Sequence, residues 1–156
     1  MQPETSLQES FEGLVADAES GLRQALMALF GPDDGREATA HALLYGWEHW
    51  DRLRTMDHPA GYLYRVGQTW GQRHRRPVRQ LPSVPTAHEA WVEPGLPIAL
   101  MGLPPKQRVA VVLRHGSDWS YERIAEFMGT SVVAARKNVE RALQALRSAL
   151  EVDSEV

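Results

Sequence analysis

The stretch 119–141, WSYERIAEFMGTSVVAARKNVER, decides the fold of the C-terminal half of the chain. Its first part predicts a short helix that Ser120 can cap, with the pair Ile124-Ala125 on the buried side. The small alanine suits a place where two helices cross closely. Gly129 adopts the left-handed conformation of a tight turn at little steric cost. Ser131 is a typical N-cap for the long helix that follows. This order of elements predicts a helix-turn-helix.

The second helix of this motif offers cations for nucleic acid. Early residues of a recognition helix reach base edges in the major groove, and neighbouring cations hold phosphates. Arg136 and Lys137 are the strongest candidates for these contacts. An ordinary three-helix bundle with charged, solvent-facing side chains carries the same pattern and stays open as the alternative.

Apolar residues recur at helical spacing through most of the remaining sequence. The pattern predicts an all-α fold, because no stretch alternates apolar and polar residues as a half-buried strand does. The pair His58-Pro59 ends one predicted helix and opens the next. The predicted helices cover about 5–30, 36–53, 59–76, 104–116, 120–128 and 132–149.

Five prolines interrupt the sequence between the two helical halves, where the apolar residues also lose their period. Such a segment is typical of a semi-stiff linker. We therefore predict two small helical domains over 1–77 and 96–150, joined by a Pro-rich linker over 78–95 and followed by an acidic tail over 151–156. The five prolines are Pro77, Pro82, Pro85, Pro94 and Pro97.

Composition excludes several classes of protein. The 156 residues include no cysteine, which excludes disulfides, thiolate metal sites and cysteine nucleophiles. No apolar run approaches the roughly 20 residues that cross a bilayer, and the acidic N-terminus lacks the basic region of a secretory signal. We predict a soluble, cytoplasmic protein.

Charge is sorted along the chain, although the net charge is only −3. Residues 1–51 hold ten acids and two bases, whereas 52–80 hold seven arginines and one acid, and 104–147 hold eight bases and four acids. Two separate basic stretches are what a polyanion-binding surface needs. Two solvated helix faces give the same count and remain the alternative.

The first basic stretch combines cations with aromatic rings at a predicted helix end. This combination suits single-stranded nucleic acid, whose bases stack on rings while arginines bind phosphates. Two structural roles stay open as alternatives: cations are favoured at a helix C-terminus by the macrodipole, and Trp70 also suits the core. The cluster consists of Arg65, Arg73, His74, Arg75, Arg76 and Arg79, beside Tyr62, Tyr64 and Trp70.

Two sets of residues resemble region 4 and region 2 of bacterial sigma-70 family factors. Similar to region 4 are Leu103-Pro104-Pro105-Lys106-Gln107-Arg108, the helix-turn-helix, Arg141-Ala142-Leu143 and Leu146-Arg147. Similar to region 2 are Trp47-Glu48-His49-Trp50 and His58-Pro59-Ala60-Gly61-Tyr62-Leu63-Tyr64-Arg65-Val66. The order of region 2, Pro-rich linker and region 4 resembles the extracytoplasmic-function (ECF) group, over nearly the whole chain.

The resemblance implies a factor that binds core RNA polymerase, directs it to promoters and helps to open the DNA. Region 4 would read the −35 element through Ser131, Arg136, Lys137, Asn138 and Arg141. Region 2 would read and melt the −10 element through Arg65, Gln68, Thr69, Gln72, Arg73, Arg75 and Arg76, with the loop 51–57 receiving a flipped base. Core polymerase would bind Glu37, His41, Leu44, Tyr45 and Glu48. An anti-sigma partner is left open, and no membrane partner is implied.

Three places depart from the family pattern. Ala40-His41 stand where the family carries glutamine and an acid, Gln68-Thr69 replace an Arg-Asn pair, and Ala134-Ala135 replace Thr-Val. The alternative is a sigma-like helix-turn-helix regulator, or a polymerase-modulating protein, that has lost full sigma activity.

Other functions find little support in the sequence. Glu37 and His41 stand four apart and could share a metal, but such a pair is more often a solvated face. With no phosphate-binding glycine loop and no nucleophile elbow, we predict neither an enzyme nor a resident metal or cofactor. Tyr45, Trp47 and Trp50 could form an aromatic surface for a partner helix, although Trp47 and Trp50 are expected in the core.

Overall fold

The computed structural model describes residues 3–74 and 95–154, with side chains for 10–74 and 95–151, and over these residues it contains helices and no strand. The all-α prediction is confirmed. The N-terminal half contains α1 (Pro3–Phe30), α2 (Pro32–Glu48), α3 (Trp50–Leu53) and α4 (Pro59–Arg73). The C-terminal half contains α5 (Leu96–Met101), α6 (Pro105–Val111), the π-helical turn Val112–Gly116, α7 (Tyr121–Met128) and α8 (Val132–Ser154).

Two predicted helices are divided in the structure. The helix expected over 36–53 begins at Pro32, because proline fits a first helical turn, and His49 leaves helical geometry between α2 and α3. The helix expected over 104–116 consists of α6 and the π-helical turn. The helix α4 ends at Arg73, short of the predicted residue 76.

Small residues on one side of α2 set the packing of the N-terminal half. Gly35, Ala38, Ala42 and Gly46 recur at helical spacing and are all buried. Without long side chains on this side, α1 and α4 approach α2 closely, and Leu22, Leu26 and Leu63 fill the space between them. Trp47 lies off this side.

The two tryptophans of the α2–α3 region have different environments. Trp50 is buried, as predicted, and its ring packs edge-on against Phe11 at 5.4 Å. The prediction that Trp47 belongs to the core is wrong, because its side chain is 50% exposed. The small residues of α2 face the core in its place.

The C-terminal half packs around α8. Ala135 and Val139 of α8 are buried against Val109, Leu113 and Ile124 from the preceding elements. A second, smaller cluster lies toward the end of α8 and is covered by α5; it consists of Leu103, Val111, Ala142 and Leu146. None of the helices in the described ranges is long and apolar enough to cross a membrane.

One hydrophobic core runs through both halves of the chain. The ring of Phe127 stacks on Tyr64 of α4 at 4.6 Å and meets Trp119 edge-on at 5.1 Å. Trp119 is buried and in turn lies against Gly21 of α1. The two halves are therefore docked in the structure. The boundaries 1–77, 78–95 and 96–150 stay a prediction, since 75–94 are outside the described residues.

Polar contacts add to this docking. The buried guanidinium of Arg108 donates to the carbonyl oxygens of Leu100, Met101 and Leu103, and also to that of Ala28 in α1 at 2.7 Å. A carbonyl near a helix C-terminus suits a cation, because the helix dipole places partial negative charge there. Arg108 thereby ties α1 to the start of the C-terminal half.

Arg123 forms a second polar tie between the halves. Its guanidinium lies over the ring of Trp119 at 4.0 Å and reaches the carboxylate of Asp17 in α1 at 3.1 Å. It also donates to the main-chain oxygen of Asp17 at 2.8 Å. This arginine covers the outer face of the indole that docks on α1.

Candidate nucleic-acid interface

The helix-turn-helix has the caps that the sequence predicts. The Ser120 hydroxyl accepts a hydrogen bond from the main-chain N–H of Arg123 at 3.1 Å, and Gly129 ends α7 with φ 67°. The Ser131 hydroxyl accepts from the N–H of Ala134, also at 3.1 Å, and so fixes the start of α8. These local bonds define the angle at which α8 leaves α7.

The exposed side of α8 carries the residues expected to meet duplex DNA. Arg136, Lys137 and Arg141 are exposed on it, and the capping Ser131 is exposed at its start. Asn138 is half-buried, because it faces the edge of the core. The predicted set is thus brought together on one helix, with cations outward.

Arg136 is also held from behind by an aromatic ring. Its guanidinium lies 5.2 Å from the ring centre of Tyr121, and Arg114 lies 4.3 Å from the same centre. Arg114 is fixed by donating to the carbonyl of Trp119 at 3.0 Å. Two cations on one ring give this end of α8 a fixed patch of positive charge.

The other candidate surface is α4. Arg65, Thr69, Gln72 and Arg73 are exposed on it, while Gln68 is half-buried. Spacings of three and four residues place these side chains along one helix side. Arg75 and Arg76, which the sequence analysis adds to this set, lie outside the described residues, as does Arg79.

An open pocket of about 370 Å³ lies between α2 and α4. At its floor, Trp70 stacks with His41 at 4.8 Å and with His74 at 4.5 Å between ring centres. The Nδ1 of His74 lies 2.8 Å from the carbonyl oxygen of Trp70, which fixes the imidazole over the indole. The pocket is lined by His41, Tyr45, Tyr62, Arg65, Val66, Thr69, Trp70, Arg73 and His74.

The segment 51–57, expected as a loop, is helical as far as Leu53 because α3 extends into it, and it is irregular only from Arg54 onward. Arg52 connects this segment to the pocket. Its guanidinium donates to the hydroxyl oxygens of Tyr45 at 2.6 Å and Tyr62 at 3.2 Å. The hydrogen bond with Tyr45 and partial burial raise the pKa of Tyr62 above its ordinary value. The hydrogen bonds of Arg52 thus hold the segment 51–57 at the edge of the pocket.

Comparison with known proteins identifies the family. A family model described as Sigma-70, region 4 matches residues 99–146, which include the helix-turn-helix. The RNA polymerase sigma-E factor of Streptomyces avermitilis is 32% identical over 140 residues, covering 83% of this chain and 78% of that protein. The sigma-E factor of Streptomyces antibioticus is 30% identical over 152 residues, covering 90% and 84%.

The chain belongs to the ECF group of sigma-70 family RNA polymerase sigma factors.

A solved structure agrees with this sigma factor in fold. The sigma factor RpoE in complex with the anti-sigma factor NepR, from Bartonella quintana, matches with a TM-score of 0.70 and 20% sequence identity. The match covers 93% of this chain and 99% of that one. The fold of the family thus extends over both halves.

The five residues expected to bind core polymerase lie along one side of α2, because they recur at spacings of three and four residues; they are Glu37, His41, Leu44, Tyr45 and Glu48. Leu44 and Glu48 are exposed on α2, with Leu44 at 53%, and Glu37 is exposed one turn before His41. His41 and Tyr45 also line the pocket, together with residues expected at the −10 element. The predicted polymerase surface and the pocket therefore share His41 and Tyr45.

One feature of the α2 surface was missed by sequence reasoning. Trp47 is exposed one turn beyond Leu44, and its ring packs against Phe11 at 5.5 Å. The regular spacing of glycine and alanine in α2 was the signal that could have shown which side faces the core.

In the described part of the chain, no three His, Asp or Glu side chains are grouped to hold a metal ion.

Proposed function

We propose that this sigma factor directs core RNA polymerase to promoters, with residues 96–150 reading the −35 element and residues 1–77 reading and melting the −10 element. The observation that carries the proposal is the presence of two cationic surfaces with different geometry. One is the capped recognition helix α8, which fits a major groove. The other is the aromatic pocket beside α4, which fits an unpaired strand.

The −35 element would meet the start of α8. Arg136 and Lys137 are close enough to the N-terminus of the helix to reach base edges or flanking phosphates. The cap at Ser131 leaves its hydroxyl hydrogen free to donate to a phosphate oxygen. Asn138 directly follows Lys137, and Arg141 lies about one turn later; both would extend the contact along the DNA.

The −10 element would meet α4 and the pocket. Arg65 and Arg73 flank the pocket mouth and supply phosphate contacts, with Gln68, Thr69 and Gln72 between them for base edges. Arg75 and Arg76 would continue the cationic track. The segment 51–57, held by Arg52, would receive a flipped base, a step that costs a few kcal/mol of unstacking.

Core polymerase would bind the outer side of α2. The predicted residues Glu37, His41, Leu44, Tyr45 and Glu48 lie along this side, and the exposed Trp47 stands one turn beyond Leu44. An exposed tryptophan beside a leucine is typical of the anchors of a protein interface. The polymerase supplies the catalysis, and the sigma factor works where the polymerase is, in the cytoplasm.

Promoter binding would require the two halves to separate. The −35 and −10 elements are about 25 base pairs apart, which is ~85 Å at ~3.4 Å for each base pair. In the structure, a guanidinium nitrogen of Arg65 lies 4.0 Å from where a Cβ of Gly129 would be. A linker over 78–95 can extend to about 60 Å. Together with the width of each half, this length is enough to span the distance between the two promoter elements. The docked state is therefore the free state, and polymerase holds the halves apart.

An anti-sigma factor is a fitting partner for the docked state. The solved relative RpoE is in complex with such a factor. A protein that binds both halves, or that covers the outer side of α2, would compete with core polymerase for this sigma factor.

The proposal is tested by reconstitution. The full chain is mixed with core RNA polymerase, and the complex is purified. DNA fragments that bind the complex are then selected from a random pool. We expect co-purification and enrichment of fragments with two conserved elements at a fixed spacing. Specific binding to duplex DNA without polymerase would instead support a helix-turn-helix regulator. Co-purification without selection of any sequence would support a polymerase-modulating protein.

A further inference from the structure

Val133, the second residue of α8, carries an apolar side chain into solvent. It is 64% exposed, whereas the preceding Val132 is partly buried against the core. Valine is a poorer helix former than alanine, because its branched side chain loses rotamer freedom in a helix. Neither packing nor helix formation therefore calls for valine at this position.

The surroundings of Val133 are those of a nucleic-acid contact. Arg136 and Lys137 follow at three and four residues, so that they share its side of the helix. Both are exposed, and Arg136 is held by Tyr121. An apolar group at the first turn, flanked by cations, places a small hydrophobic surface toward base edges while charges lie toward phosphates.

The major groove offers one partner for such a group. Base edges there present hydrogen-bond donors and acceptors, and their single apolar group is the C5-methyl of thymine. A valine side chain has no donor or acceptor and so cannot read the polar groups. We propose that Val133 is a specificity-determining residue that contacts the C5-methyl of a thymine in the −35 element. This inference rests on the proposed function.

The test removes the thymine methyl group in one experiment and shortens the Val133 side chain in another. Promoter fragments selected by the reconstituted holoenzyme are remade with each thymine of the −35 element replaced by uracil, which lacks only the methyl group. At one position, uracil should weaken binding by the unaltered holoenzyme about three- to five-fold, the value of one buried methyl group. In the Val133→Ala holoenzyme the uracil effect at that position should be clearly smaller, because two of the methyl groups that face the thymine are removed.

Gln144→Ala is the matched control. Gln144 is exposed on the same side of α8, eleven residues later and about 16 Å along the axis, and its variant should keep the full effect of uracil. Three outcomes would overturn the role of Val133 while leaving promoter selection intact. They are a uracil effect of equal size in the Val133→Ala holoenzyme, no uracil effect at any position, and a selected −35 element without thymine. Failure to select any −35 element would overturn the proposed function as well.

Discussion

The indole of Trp119 lies against the α-carbon of Gly21, with no room for a side chain at that position of α1. The contact joins the residue just before the helix-turn-helix to α1, the longest helix of the N-terminal half. Because Trp119 also meets Phe127, which stacks on Tyr64, a change at Gly21 should be transmitted to the whole surface between the halves.

Gly21→Ala should open the free sigma factor. The added methyl group would overlap the indole of Trp119, so the C-terminal half would undock. Small-angle scattering should report a larger radius of gyration than for the unaltered protein.

Gly13→Ala is the matched control, because Gly13 is in the same helix with nothing within 4 Å of a Cβ there. Both variants gain about 0.5–1 kcal/mol of helix propensity, so only their steric effect differs. A Gly21→Ala protein as compact as Gly13→Ala would contradict the role of this contact.

Arg108→Lys should destabilise the protein. Lysine keeps the charge but loses the planar fork that serves four carbonyl oxygens, and buried acceptors are left unsatisfied. We expect the free energy of unfolding in urea to fall by about 2–4 kcal/mol. Arg147→Lys, at an exposed position of α8, should change it by less than about 0.5 kcal/mol. Equal small losses in both variants would show that the Arg108 hydrogen bonds add no net stability.

Arg73→Ala should weaken binding of the opened promoter. Arg73 is exposed at the pocket mouth, and one lost phosphate contact should reduce the salt-dependence slope of holoenzyme binding by about one. The measurement is the affinity of the holoenzyme for fork-junction DNA over a range of salt concentrations, with the unaltered sigma factor and with the variant.

Arg36→Ala, another exposed arginine at the start of α2, should leave the slope unchanged. If Arg36→Ala and Arg73→Ala lowered the slope equally, the effect would be one of net charge and not of the α4 surface.

Trp47→Ala should reduce affinity for core polymerase by ten-fold or more, the usual effect of removing an aromatic anchor at about 1.4 kcal/mol for each factor of ten. Titration of core polymerase with labelled sigma factor measures the effect. Val133→Ala, which removes an exposed apolar side chain from the other half of the chain, should bind polymerase normally. Unchanged affinity for Trp47→Ala would move the polymerase surface away from this side of α2.

The sequence predicted features that depend on neighbouring residues. Ser120, Gly129 and Ser131 act within one turn of their own positions, and all three take the predicted roles in the helix-turn-helix. The exposure of the cations on α8 and α4 follows from the helical spacing of the apolar residues, which places the cations on the side away from the core.

Long-range contacts were beyond prediction from the sequence. Nothing near Gly21 in the sequence indicates that Trp119 packs against it. Trp47 was assigned to the core by its hydrophobicity, whereas its exposure is set by the small residues that α2 turns toward α1 and α4. The stacking of His41 on Trp70 in the pocket likewise joins residues that are distant in sequence.

Run-off transcription tests the central claim most directly. Core RNA polymerase is supplied with nucleotides and a selected promoter fragment, with and without the full-length chain. We expect a transcript of defined length only when the chain is present, and loss of that transcript when either promoter element is scrambled. Equal transcription with and without the chain, or a transcript that ignores both elements, would contradict its role as a promoter-directing sigma factor.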